Sequence, residues 1–242
     1  MIVRNKLMRD LKKDIGTDLG TAVADNILEI NIAVHPKESN VIVINYPGFD
    51  GDINGYNDKY LKIGELVHEK IGAVVRMGNP YYSDLPYPDA MIQNLEFVID
   101  YSLKNSEIIC NTSKPKLHMM GFSAGASAIA AISSKYSEIE KLLLVAPSSD
   151  AGFNTIQKGL ENYTGELSVV VGKNDEVVGS KIGLFYSELA KSASKKKLEV
   201  IQNCDHQFRG IINGKILSKT PQWAFLDDKS FPSHHGGTIL YN

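Results

Sequence analysis

The amino-acid sequence predicts an α/β fold: one mostly parallel sheet with helices packed on both faces. Two observations predict it. Short apolar runs alternate with stretches of helical periodicity along most of the chain. The runs are apolar throughout, as strands buried on both faces are. The size fits as well. At 242 residues, 43% hydrophobic and 22% charged, the chain can bury one sizeable core, so a single domain over residues 1–242 is the expectation.

The elements follow in order. Residues 27–34 read as a strand and residues 2–7 as another candidate. No helical pattern clearly separates them, which suggests an antiparallel start to the sheet. A β-branched run at 41–44 is the next strand, ending at Tyr46-Pro47-Gly48. Strands at 73–77, 116–120, 141–145, 167–171 and 198–202 then alternate with helices at about 59–70, 89–103, 124–133, 155–161 and 181–192. The run Lys195-Lys196-Lys197 reads as a solvated turn before the last strand. From Thr220 onward the periodicity is weak and gives no assignment.

Composition narrows the function. The net charge of −2 offers no basic excess for a nucleic-acid partner. Two cysteines, Cys110 and Cys204, cannot form a disulfide framework and fit a reducing compartment. Met1 to Lys6 is not followed by an apolar run, so no signal peptide is expected. No stretch approaches the roughly 18 apolar residues of a membrane span. The cytoplasm is the expected location, with no membrane partner.

Open α/β sheets bind ligands at the carboxyl ends of their strands. The first notable strand end is Gly121-Phe122-Ser123-Ala124-Gly125, a G-x-S-x-G pattern between a strand and a small-residue helix. A serine lifted onto such a tight turn is held in a strained backbone conformation, and side chains two positions away on either side would collide. Amides at the helix start favour developing negative charge. The second is Gly172-Lys173-Asn174-Asp175, where a carboxylate can orient an imidazole. The third is Asn203-Cys204-Asp205-His206, whose histidine can swing over the sheet. Other histidines suit the role less: His118 lies inside a strand, His35 precedes Pro36 and His68 is in a helix. His234-His235 could contribute to a metal site, but no third ligand accompanies them. Asp150 is the alternative acid.

Ser123, Asp175 and His206 occur in that order, each after its own strand. On these motifs the chain resembles the α/β-hydrolase family from about residue 41 to residue 208. The resemblance implies an eight-stranded, mostly parallel sheet with an antiparallel second strand. It also implies a catalytic triad of nucleophile Ser123, acid Asp175 and base His206. It places an oxyanion donor in the loop after the third strand, where His-Gly is common and this chain has Pro47-Gly48. The backbone N–H groups of Phe49 and Ala124 are the expected donors. The implied activity is serine-esterase-like hydrolysis of a small-molecule ester, thioester or amide, with no metal and no organic cofactor. Acyl transfer to another acceptor, or binding without turnover, are the alternatives. Little room for a cap exists between residues 146 and 166, so an open pocket is expected, walled by Tyr46, Phe49, Tyr81, Tyr82 and Phe153 and suited to small or aromatic acyl groups.

Overall fold

The computed structural model describes residues 2–10, 27–80 and 87–232. Eight strands form one sheet: β1 (Val3–Asp10), β2 (Ile27–His35), β3 (Val41–Tyr46), β4 (Ala73–Met77), β5 (Lys116–Phe122), β6 (Ile139–Val145), β7 (Glu166–Gly172) and β8 (Lys195–Ile201). Their spatial order is β1-β2-β4-β3-β5-β6-β7-β8. Strand β2 runs antiparallel to both β1 and β4, and the remaining pairs are parallel. The expected mostly parallel sheet with an antiparallel second strand is therefore present.

Side-chain alternation on the central strands divides the core into two layers. Ile42, Ile44, Leu117, Met119, Leu142, Leu144, Val169 and Val171 face one side. There they meet helices α2 (Tyr87–Lys104), α3 (Ser106–Cys110), α4 (Ala124–Ile132), α5 (Phe153–Glu161) and α6 (Ile182–Leu189). Val43, Met120, Leu143, Val145 and Val170 face the other. That layer is closed by α1 (Lys59–Lys70) and α7 (Ile211–Leu226). The segment between β6 and β7 contains α5 and short turns, with no cap inserted there. None of the described helices is long and apolar enough to cross a membrane.

Two expectations change. Lys195, Lys196 and Lys197 lie inside β8, at the sheet edge, rather than in a turn. Lysines blunt an exposed strand edge against pairing with another chain. Here they also do local work: Lys195 and Lys197 reach Asp227, at 2.6 and 2.5 Å, and Lys197 sits 5.3 Å from the Trp223 ring centroid. The second change concerns residues 220–226, which had no assignment and form the last turns of α7. Residues 216–221 and 223–225 are all buried. A helix buried all round shows no polar face, hence no amphipathic period, and Pro221 inside it reads as a breaker.

Candidate active site

Ser123 sits between β5 and α4 with φ 53° and ψ −118°. That is a costly conformation for a residue with a side chain, and the flanking glycines explain how it is accommodated. A Cβ on Gly121 would lie 2.6 Å from the Ala126 Cα, and one on Gly125 would lie 2.2 Å from the Pro47 carbonyl oxygen. The turn can close only because both positions lack side chains. It is pinned by the Ser123 N–H donating to Val145 O at 2.9 Å.

The acid and the histidine come from adjacent strand ends. A Cβ on Gly172 would lie 2.3 Å from the Cys204 carbonyl oxygen, so glycine lets the loop after β7 press against the loop after β8. The Asn174 N–H donates to that same carbonyl at 2.9 Å. In this packing Asp175 Oδ2 lies 2.8 Å from His206 Nδ1, and His206 Nε2 lies 3.1 Å from Ser123 Oγ. The second carboxylate oxygen, Asp175 Oδ1, accepts from the Val177 and Val178 amides at 2.9 and 3.0 Å. The Asp175 side chain is fully shielded from solvent, while that of His206 keeps 12% exposure. Asp150 accepts instead from the Ser148 hydroxyl at 2.5 Å. The carboxylate on His206 is thus Asp175.

A buried network shapes the loop after β3. The Tyr46 hydroxyl lies 2.9 Å from both Asn79 Oδ1 and Met91 O, which share its one proton, and Asn79 Nδ2 donates to Gly48 O at 3.1 Å. The Gly51 amide also donates to Gly48 O, at 3.1 Å. These bonds hold the Gly48 carbonyl in place where the backbone passes Ser123; a Cβ on Gly48 would stand 3.2 Å from the Ser123 Cβ. The Ala124 amide belongs to the first residue of α4, directly after Ser123.

Other candidate groups are chemically quiet. Burial pushes the Cys204 thiol up to about 12, aided by Asp205 and Asp175, so it stays protonated. Burial lowers His118 to about 3 and His35 to about 4, with nearby cations contributing. Both are neutral and buried away from the cleft. Among the described residues no cluster of His, Cys, Asp or Glu is placed to hold a metal ion.

No protein-family model and no curated protein matches the chain. Solved structures do. A dienelactone hydrolase from Anabaena variabilis superposes with a TM-score of 0.68 at 13% identity, covering 93% of this chain and 98% of that one. The Pyrococcus furiosus esterase Pf2001 gives 0.67 at 12% identity, covering 92% and 93%. Est1E from Butyrivibrio proteoclasticus gives 0.65 at 16% identity, covering 79% and 91%.

The chain has the α/β-hydrolase fold.

Within that fold, the cleft over Ser123 has a volume of about 690 Å³. Its walls include Phe49, Tyr56, Lys59, Tyr60, Phe122, Val177, His206 and Gln207. Two expected wall residues are corrected. Tyr46 is completely buried beneath the site, where its hydroxyl serves the loop network. Phe153 stands on α5 against Phe185, at 5.4 Å between ring centroids, and is not part of this wall. Tyr81, Tyr82, His234 and His235 lie outside the described residues. Sequence reasoning missed Tyr56, Lys59 and Tyr60, because they belong to a turn and a helix start that carry no motif. Phe122 could have been found, since it is the residue before the serine in the G-x-S-x-G pattern.

Proposed function

We propose that the protein is a serine hydrolase that cleaves carboxylic esters, with Ser123 as nucleophile, His206 as general base and Asp175 as orienting acid. The observation that carries this reading is the continuous chain from Ser123 Oγ through both ring nitrogens of His206 to Asp175, built on a strained serine turn. The two neighbours named as an esterase and a dienelactone hydrolase support the reaction class.

With Nδ1–H donated to Asp175, His206 Nε2 accepts the Ser123 proton as Oγ attacks the ester carbonyl carbon. The carbonyl electrons move to oxygen, and the Ala124 and Phe49 amides donate to that oxyanion. Each such donor is worth about 2.7–4 kcal/mol in the transition state. The imidazolium then protonates the leaving alkoxide, which departs and leaves an acyl-serine. Water, deprotonated by His206, attacks the acyl carbon; the bond to Oγ then breaks, the imidazolium returns its proton to Ser123, and the acid leaves. Asp175 holds the Nδ1–H and stabilises the imidazolium, its second oxygen held by two backbone amides. Both cysteines are free thiols, which suits a cytoplasmic enzyme.

The test is pre-steady-state cleavage of p-nitrophenyl acetate. The reading expects nitrophenol release that depends on Ser123 and is lost in Ser123→Ala. A folded Ser123→Ala variant with undiminished turnover would contradict it.

A further inference from the structure

The cleft holds a charge that the reaction at Ser123 does not use. Lys59, the first residue of α1, is only 7% exposed and lines the same cleft as Ser123 and His206. Its Nζ lies 4.2 Å from the Phe122 ring centroid and 4.9 Å from that of Tyr60. The His206 ring stands against the same Phe122 ring, at 5.6 Å between centroids. One aromatic ring therefore links the ammonium to the imidazole.

Among the described residues the Lys59 ammonium has no hydrogen-bond acceptor and no ion pair. Ring faces attract its charge, but they supply no acceptor for its three N–H donors, which are left to whatever fills the cleft. Asp205 is the acidic group acting on it through space, and that carboxylate already accepts from the Arg209 amide and guanidinium, at 2.9 and 3.3 Å. The helix start adds no spare donors at the next two residues, since the amides of Tyr60 and Leu61 both donate to Asn54 O. The surrounding turn is firmly built. Asp52 Oδ1 accepts from the Asn54 and Gly55 amides at 2.7 and 2.6 Å. Buried Arg76 donates to Ile53 O and to Asn54 Oδ1. A largely buried cation on a hydrogen-bonded mount, facing a cleft, is suited to an anion supplied from outside.

We propose that Lys59 is a specificity-determining residue that binds a free carboxylate on the substrate, so that esters carrying a carboxylate are preferred over neutral ones of similar size. The inference rests on the hydrolase reading above. A carboxylate fits better than a phosphate dianion, because one ammonium balances one charge and Asp50 and Asp52 also line the cleft. Burial lowers Lys59 from 10.5 to about 8, with Asp205 acting in the opposite direction. The cation is present below that value and is lost as pH rises through it. Preference for an anionic ester therefore declines above about pH 8. His206, Tyr60, Asp50, Asp52 and Asp205 share this environment. Their effects on the chemical step are common to two esters compared at one pH.

The experiment compares kcat/KM for p-nitrophenyl hemiglutarate and p-nitrophenyl pentanoate in the full chain, from pH 7 to pH 9. The ratio should favour the hemiglutarate, decline through pH 8, and fall by about tenfold or more in Lys59→Met. If both esters are cleaved through Ser123 with no preference, or the ratio is flat with pH and unchanged in Lys59→Met, the proposal fails and the hydrolase reading stands. Should Lys59→Met not fold, the wild-type ratio and its pH course decide alone. If neither ester is cleaved, the hydrolase reading fails, and calorimetry with glutarate decides the anion site. Binding about tenfold weaker in Lys59→Met than in wild type supports it; equal or absent binding overturns it.

Discussion

Ser123 departs from ordinary backbone geometry so that its hydroxyl stands clear of the sheet, within reach of His206. Ser123→Ala should lower ester turnover by roughly 10⁵–10⁶-fold without loss of fold, measured as kcat/KM beside a thermal melt. Asp175→Asn should cost about 10⁴-fold, since the amide would favour the wrong tautomer of His206. Asp150→Asn should cost far less, because Asp150 accepts from Ser148 and not from His206. If Asp150→Asn proves the more damaging change, the acid is misassigned. Asn79 acts one step back, through the Gly48 carbonyl. Asn79→Ala should lower kcat by up to about 10²-fold while KM moves little, as expected when oxyanion stabilisation weakens. At this scale the sequence is informative where chemistry imposes a pattern: Gly121, Ser123 and Gly125 share one turn, and Asp175 and His206 follow strands. It is silent on Asn79 and Lys59, which are brought to the Ser123 cleft and its loop only by folding.

Among the elements, the two glycine contacts at Gly125 and Gly172 decide how closely strand-end loops approach. The far edge of the sheet depends on charge instead. Asp227, in the left-handed position ending α7, binds Lys195 and Lys197 of β8. Those bonds, Lys195 foremost, hold its carboxyl well below the ordinary 3.8. A depressed carboxyl stabilises the fold above its ordinary value, and the contribution is lost as pH falls through the folded value. Asp227 is more than a third exposed, so screening limits the effect. Asp227→Asn should cost under about 1 kcal/mol at neutral pH, with the difference shrinking in high salt and at low pH. Denaturant titration of both proteins at pH 7 and pH 3 checks this. The central strands were legible because burial on both faces demands continuous apolar runs. The lysine start of β8 and helix α7 were not, since an edge strand tolerates lysines and an enclosed helix needs no polar stripe.

Over the whole molecule, the sheet delivers the strand ends of β3, β5, β7 and β8 to one open cleft, and the segment between β6 and β7 adds no cap. Its rim residues Phe49, Tyr56 and Val177 are 54%, 74% and 70% exposed. Such a cleft holds a short acyl group well, and among the described residues it offers a long chain no apolar tunnel. Acetyl and butyryl esters should be cleaved faster than palmitoyl esters, and rates should not rise at an oil–water interface. Strong long-chain preference would show that a lid forms over the cleft. The central claim, that His206 and Asp175 activate Ser123, is tested most directly by reacting the native protein with a fluorophosphonate and locating the adduct by peptide mass spectrometry. A single adduct on Ser123 is expected, formed rapidly in the wild type and much more slowly in His206→Gln. An unmodified Ser123 in folded protein, or equal labelling rates in the two proteins, would contradict it.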